Sequence, residues 1–155
     1  MIIKKRMTAS IEGDFVVLLI GMRINQLWKI HRWLPVAKAM GRMLRELHAQ
    51  PELGLLNHEM SFARTMIIVQ YWRSMDHLLA YAKNKDAEHL PAWREFNRSV
   101  GTDGSVGIWH ESYEVKSGAY ESIYSNMPAF GLGKAGSLES IGGERESAAG
   151  RLGRN

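Results

Sequence analysis

His89 stands two residues ahead of Pro91 in the run HLPAW, not far beyond the stretch QYWRS that holds Arg73. A histidine so placed has three possible uses. It can move a proton, ligate a haem iron through a neutral imidazole whose other nitrogen is held, or satisfy backbone groups near a helix N-terminus. Glu88 and Asp86 are near it in sequence, with no spacing that assigns them as its partner. Arg73 follows an apolar run and is expected to emerge at a strand end. There its planar fork suits a carboxylate or an enolate, and an ion pair with Asp76 or Glu88 is the plainer use. Arg23, beside Asn25 at the end of FVVLLIGMRI, has the same two uses.

His110 and Glu111 are neighbours in VGIWHESYEV, so on a strand they point to opposite faces and only one can line a pocket. Ile108 and Ser112 share a face with His110. Trp109 and Tyr113 share one with Glu111, which burial there would perturb more. Trp72, Trp93, Trp109, Tyr113 and Tyr124 serve either as core and interface or as the wall of a site for a flat apolar ligand. A cofactor-free oxygenation needs a base to make a substrate carbanion, which passes an electron to dioxygen, and polar groups to hold the oxyanion. His89, His110, Arg73, Tyr124 and Asn126 are of those types.

Other chemistries find less support. Zero cysteines exclude disulfides, thiolate metal sites and a thiol nucleophile, and suit an intracellular, cytoplasmic protein. His77 with His89 lacks metal-ligand spacing, as do His31, His48 and His58, so no metal is expected. No glycine-rich phosphate loop follows a strand, and no serine stands in a nucleophile elbow.

Positioning these residues calls for particular elements. Phe15–Ile24 is a continuous apolar, β-branched run, and Thr65–Trp72 is a second strong strand, with a weaker one over Leu55–Phe62. Pro35 suits a helix start, and Val36, Met40, Met43, Leu44 and Leu47 then recur at helical spacing. Met75 to Lys83 reads as the second helix, a further helical piece is entered through His89 and Pro91, and Val106–Val115 and residues 119–126 read as strands. This β-α-β-β-α-β order is the split β-α-β pattern of ferredoxin-like α+β folds. Helices then cover one face of the antiparallel sheet, and the other face needs a cover. A second subunit is expected to supply it, as a homodimer whose two sheets face each other in a barrel.

At 155 residues with 45% hydrophobic and 23% charged content, the chain is expected to fold as one domain over residues 1–133. From about Lys134 glycine, serine, glutamate and arginine dominate. Residues 134–155 are expected to form a flexible tail or to order against another chain. The net charge of +4 is spread along the chain rather than concentrated in a stripe, which argues against a nucleic-acid partner. The apolar runs are too short to span a membrane.

The segments GMRIN (21–25), QYWRS (70–74), HLPAW (89–93), GIWHESY (107–113) and YSNMPAFGL (124–132) together resemble the small monooxygenase-like family typified by the fumagillin-pathway monooxygenase. That family is related to the antibiotic-biosynthesis monooxygenases, dimeric α+β barrels. The resemblance covers about residues 10–133. It implies oxygenation of a small apolar or aromatic metabolite without metal, flavin or haem, in a pocket between helices and sheet. Other dimers of this fold bind haem through a helical histidine, among them haem-degrading monooxygenases and aldoxime dehydratases. The YWRS…H pattern is similar to theirs, and His89 is the position that would take the ligand role. A non-catalytic small-ligand-binding protein on the same barrel is the third reading.

Overall fold

The computed structural model describes residues 1–154. A four-stranded antiparallel sheet has the order β3-β4-β2-β5, formed by β2 (Phe15–Ile24), β3 (Leu55–Ser61), β4 (Thr65–Trp72) and β5 (Val106–Val115). With α1 (Ile30–Ala49), α2 (Met75–Lys83) and α3 (His89–Ser99), it makes the expected ferredoxin-like α+β unit. The two central strands are the two most apolar runs of the chain. They pair in register from Val16 opposite Trp72 to Arg23 opposite Thr65, while β2 pairs with β5 from Phe15 opposite Val115 to Ile24 opposite Val106.

The period-2 pleat decides what each side chain meets. On the helix side, Met22, Ile24, Met66 and Ile68 pack with Val36, Met40 and Leu44 of α1 and with Val100 beyond α3. Val16, Leu18 and Trp72 pack with Leu47 of α1 and with Leu78 and Tyr81 of α2. Gly21 belongs to the other face, where β2 and β4 come close. A Cβ there would overlap the Met66 carbonyl oxygen and lie 3.0 Å from Trp109 Nε1. α2 begins as its sequence allows: Ser74 is extended, and its hydroxyl accepts the His77 N–H at 3.3 Å.

Three expectations change. First, α1 begins at Ile30, so Pro35 lies inside the helix rather than at its start. Because proline has no N–H, the His31 carbonyl loses its usual partner there. Second, Ile3–Ser10 forms a strand, β1, which centres a separate sheet of order β6-β1-β7. The strand expected over 119–126 is shorter and later, β6 (Tyr124–Met127), and it pairs with β1 rather than with the main sheet. Third, the expected flexible tail is folded back on the chain. β7 (Ser137–Ser140) pairs with β1 from Met7 opposite Ser140 to Ser10 opposite Ser137. The short helices α4 (Leu132–Ala135) and α5 (Ala148–Arg151) flank it, and Arg151 is ion-paired with Glu121. Backbone pairing and polar contacts hold this segment, so its lack of apolar periodicity does not prevent order.

The second sheet covers one end of the main sheet's helix-free face. Ala9, Ile11, Phe15 and Leu132 form a small core there with Val17, Tyr71 and Val115. Elsewhere on that face Ile67 and Tyr113 remain 37% and 50% exposed. Among the described residues, no helix is long and apolar enough to cross a membrane.

Candidate functional site

α1 and α3 run over the same side of the sheet, and β5 is an edge strand with β2 as its neighbour. The gap between them is a cavity of about 990 Å³, at the upper end of the roughly 300–1,000 Å³ range of small-molecule sites. α1 supplies His31, Leu34, Lys38, Met40, Arg42 and Met43. α3 supplies His89, Leu90, Trp93, Glu95 and Phe96, and the floor is Ile20 of β2 with Ile108 and His110 of β5. The walls are mainly aliphatic and aromatic. Trp93 and Phe96 stack with centroids 5.7 Å apart and planes 19° from parallel, giving one flat wall.

His89 is held in one orientation by the element before it. Its Nδ1 is 3.1 Å from the Ala82 carbonyl oxygen, so Nδ1–H is the donor and Nε2 is the ring nitrogen left for another partner. The turn that carries it is tied to α1. Glu46 Oε2 accepts the Tyr81 hydroxyl at 2.7 Å and the Glu88 N–H at 3.1 Å, and Arg42 Nε donates to Glu88 Oε2 at 3.1 Å. Burial, and then the bond to Glu46, push the Tyr81 phenol well above its usual range. His110 lies opposite Ile20 in the β2–β5 register and is exposed at the cavity's rim.

Of the adjacent pair on β5, His110 lines the cavity and Glu111 does not. Glu111 is on the helix-free face, where its Oε2 accepts the Tyr113 hydroxyl at 2.6 Å, and that bond raises the Tyr113 phenol. Trp109 shares the face with its indole N–H buried beside Gly21 and unpartnered among the described residues. Trp93 lines the cavity. Trp72 does not: it is core, only 1% exposed, and its Nε1–H donates to Gln70 Oε1 at 2.9 Å.

The arginine and amide candidates are elsewhere. Arg73 is exposed past the end of β4, outside the cavity lining, with its backbone N–H bonded to the Gly54 carbonyl at 2.8 Å. Arg23 donates to Thr65 Oγ1 at 2.8 Å, and Asn25 donates to the Gly104 carbonyl at 3.1 Å. Tyr124 Oη accepts the Gly133 N–H at 3.1 Å, and Asn126 is exposed with φ of 55°. Arg23 and Asn25 tie β2 to β4 and to the loop before β5, Tyr124 and Asn126 belong to β6 of the second sheet, and none of the four lines the cavity.

His31, Lys38, Arg42 and Phe96 also line the cavity and were not among the candidates. Leu34, Lys38 and Arg42 recur every four residues, so they form one row on α1 once the helix is started at Ile30. No group of three metal-ligating side chains occurs among the described residues.

Known proteins resemble this arrangement to different extents. A monooxygenase from Aspergillus fumigatus, monooxygenase af470, is 30% identical over 94 residues, which are 57% of this chain and 33% of that protein. The chain therefore spans about a third of the length of this curated relative. A crystal structure of an aldoxime dehydratase (OxdRE) with butyraldoxime superposes with a TM-score of 0.67 at 14% identity, covering 86% of this chain and 39% of that one. That likeness is one of fold. SnoaB, a cofactor-independent oxygenase from Streptomyces nogalater, gives a TM-score of 0.46 at 12% identity over 64% of this chain and 89% of its own. A family model, by contrast, spans the whole ferredoxin-like unit that builds the cavity, and its match over residues 15–132 places the chain in the monooxygenase af470-like family.

Proposed function

We propose that the cavity between α1, α3 and β5 is the active site of a monooxygenase that acts on a small, flat, apolar or aromatic metabolite without a resident cofactor. The observation that carries this is the His89 Nδ1–Ala82 bond, which orients a cavity-lining imidazole through one nitrogen and leaves the other free for the role of base assigned to it here. Nε2 takes a proton from an activated CH₂ group of the substrate. The carbanion gives one electron to dioxygen, the two radicals join in a C–O bond, the peroxide anion takes back the proton held on His89, and the resulting hydroperoxide loses water to leave a ketone. One oxygen atom enters the product, the other leaves as water, and the four electrons that reduce O₂ come from the CH₂ carbon. His110 at the rim is of the type to donate a hydrogen bond to the enolate oxygen.

Oxygen uptake across a panel of electron-rich phenols and polyketide-like anthrones tests this, with the source of the new oxygen atom read from ¹⁸O₂. For a substrate that is turned over, His89→Gln is expected to lower the rate by roughly 10²–10⁴-fold. Background uptake across the panel, or an unimpaired His89→Gln enzyme, would refute it.

The same bond favours a second reading, haem ligation through His89. The donor set fits: a ring held through Nδ1, apolar walls, and Lys38 and Arg42 among the lining cations. His89 would hold the iron, which would supply one-electron and oxygen chemistry. Haemin titration separates the two readings. A Soret band saturating at one haem per subunit and lost in His89→Ala supports ligation, and a featureless titration removes it.

The chain is further proposed to be a homodimer through its helix-free sheet face, where Ile67 and Tyr113 are left half-open. Sedimentation of the parent and of Ile67→Lys tests this. A dimer that dissociates on that substitution is expected, and a monomeric parent at micromolar concentration refutes it.

A further inference from the structure

The charges around the cavity are uneven. Three formally charged side chains line it, Lys38, Arg42 and Glu95, alongside the histidines. Arg42 donates to Glu88 at 3.1 Å, and Glu95 accepts from Arg98 at 2.6 Å, so both are engaged. Lys38 has no hydrogen bond or ion pair among the described residues. It is exposed on the same row of α1 as Leu34 and Arg42, one turn from each. A lysine in such a row can lay its methylenes along the apolar wall and keep its ammonium at the rim. The wall contributed by α3 is the Trp93–Phe96 stack. The cavity therefore combines a flat aromatic wall with one uncompensated positive charge.

We infer that the cavity selects ligands with a planar apolar body and an anionic group, a carboxylate or an acidic enol, and that Lys38 is the residue that determines this preference. The inference rests on the cavity being the ligand site proposed above and adds the substrate's charge to it. An anion bound by Arg42 would compete with Glu88 for that guanidinium, whereas at Lys38 it displaces only water. A neutral aromatic gains the stacking surface without the charge, so the two ligand kinds part at this one side chain.

Two dyes that share an anilinonaphthalene frame test the inference directly: 8-anilinonaphthalene-1-sulfonate, which is anionic, and N-phenyl-1-naphthylamine, which is neutral. The parent protein is expected to bind the sulfonate more tightly. Lys38→Met is expected to weaken the sulfonate by roughly five- to tenfold, as for loss of one charge-assisted contact at a partly solvated site. It should leave the neutral dye unchanged, and Lys38→Arg should retain the preference. Added salt should weaken the sulfonate in the parent and much less in Lys38→Met. Unchanged sulfonate affinity in Lys38→Met, or equal weakening of both dyes, overturns the inference, the latter because it would reflect packing alone. Haemin offers propionates with the same chemistry and is titrated in parallel. A Soret band lost in Lys38→Met would assign the anion to the porphyrin and overturn the substrate reading. Neither dye is turned over, so a protein without oxygenase activity can still show the charge preference, and an active enzyme can still lack it.

Discussion

Glu46→Ala should destabilise the fold and loosen the cavity together, because one carboxylate oxygen holds two helices in place. Glu46 Oε2 accepts the Tyr81 hydroxyl and the Glu88 N–H, joining α1 to α2 and to the turn that starts α3. Tyr81 is only 5% exposed, so removing the acceptor leaves a buried phenol without its partner. The Glu88 N–H is partly reachable by water and loses less. Together the two should cost roughly 2–4 kcal/mol, a large share of the roughly 5–15 kcal/mol of a typical domain. Tyr81→Phe removes the donor as well as the need for an acceptor and should cost only about 1 kcal/mol. In the double variant the phenol is no longer stranded, so the losses should fall short of additive by about 1 kcal/mol or more. Urea denaturation of the four proteins measures all three quantities. A Glu46→Ala loss below about 0.5 kcal/mol, or full additivity, would refute the shared-oxygen argument. The pH dependence gives a second check. The folded-state pKa of Tyr81 is raised above its ordinary 10.0. Its contribution is therefore complete below that value and is lost as pH rises above it, where the unfolded chain ionises first. Tyr81→Phe should flatten that alkaline loss.

Two further outcomes follow from other parts of the fold. His58 of β3 lies 2.9 Å from His48 of α1, and burial first, then His48 and Lys134, lower its pKa below 6.5 against the opposing pull of Glu59. The unfolded chain then takes up the proton first as pH falls through 6.5, so stability should be full above that value and decline beneath it, and less so in His58→Gln. Thermal melts from pH 7.5 to 5 check this, and parallel profiles for the two proteins would contradict it. Gly21→Ala should force β2 away from β4, since the added carbon overlaps the Met66 carbonyl. A loss of about 1–3 kcal/mol, or roughly 2–10 °C in melting temperature for a chain of this size, is expected, and a change under about 2 °C would show that the strands give way freely.

Much of the fold was legible because its central strands are apolar and β-branched. The apolar runs Phe15–Ile24 and Thr65–Trp72 coincide with β2 and β4, and the apolar stripe over Met75–Lys83 coincides with α2. β1 was not legible: IKKRMTAS is basic and largely exposed, and its order comes from strands on both sides rather than from its own pattern. The site was legible in part. Strand parity separated His110 from Glu111, but only the placement of α1 and α3 decides which face carries a cavity. Trp72 shows the opposite difficulty. Its type suits an aromatic pocket, yet its parity puts it beneath α2, in the core beside Tyr81. A helix started at Pro35 leaves His31 and Leu34 outside it, so the wall they form with Lys38 and Arg42 is not legible until the helix starts at Ile30.

The cavity itself follows from how α3 is held. Past the helix's C-terminal end, Val100 is buried with Ile24 and Val106, and Phe96 packs against the same core. At its N-terminal end His89 bonds the last full turn of α2, and Glu88 is fixed to Glu46 and Arg42 of α1. Between these anchors Ala92 and Trp93 face Ile108 and His110 across open space. α3 is thus held at both ends, and the cavity lies between it, α1 and β5. On the proposed function, specificity then rests on the row of α1 that carries Leu34, Lys38 and Arg42, and the chemistry on His89, the ring that the bond to Ala82 orients.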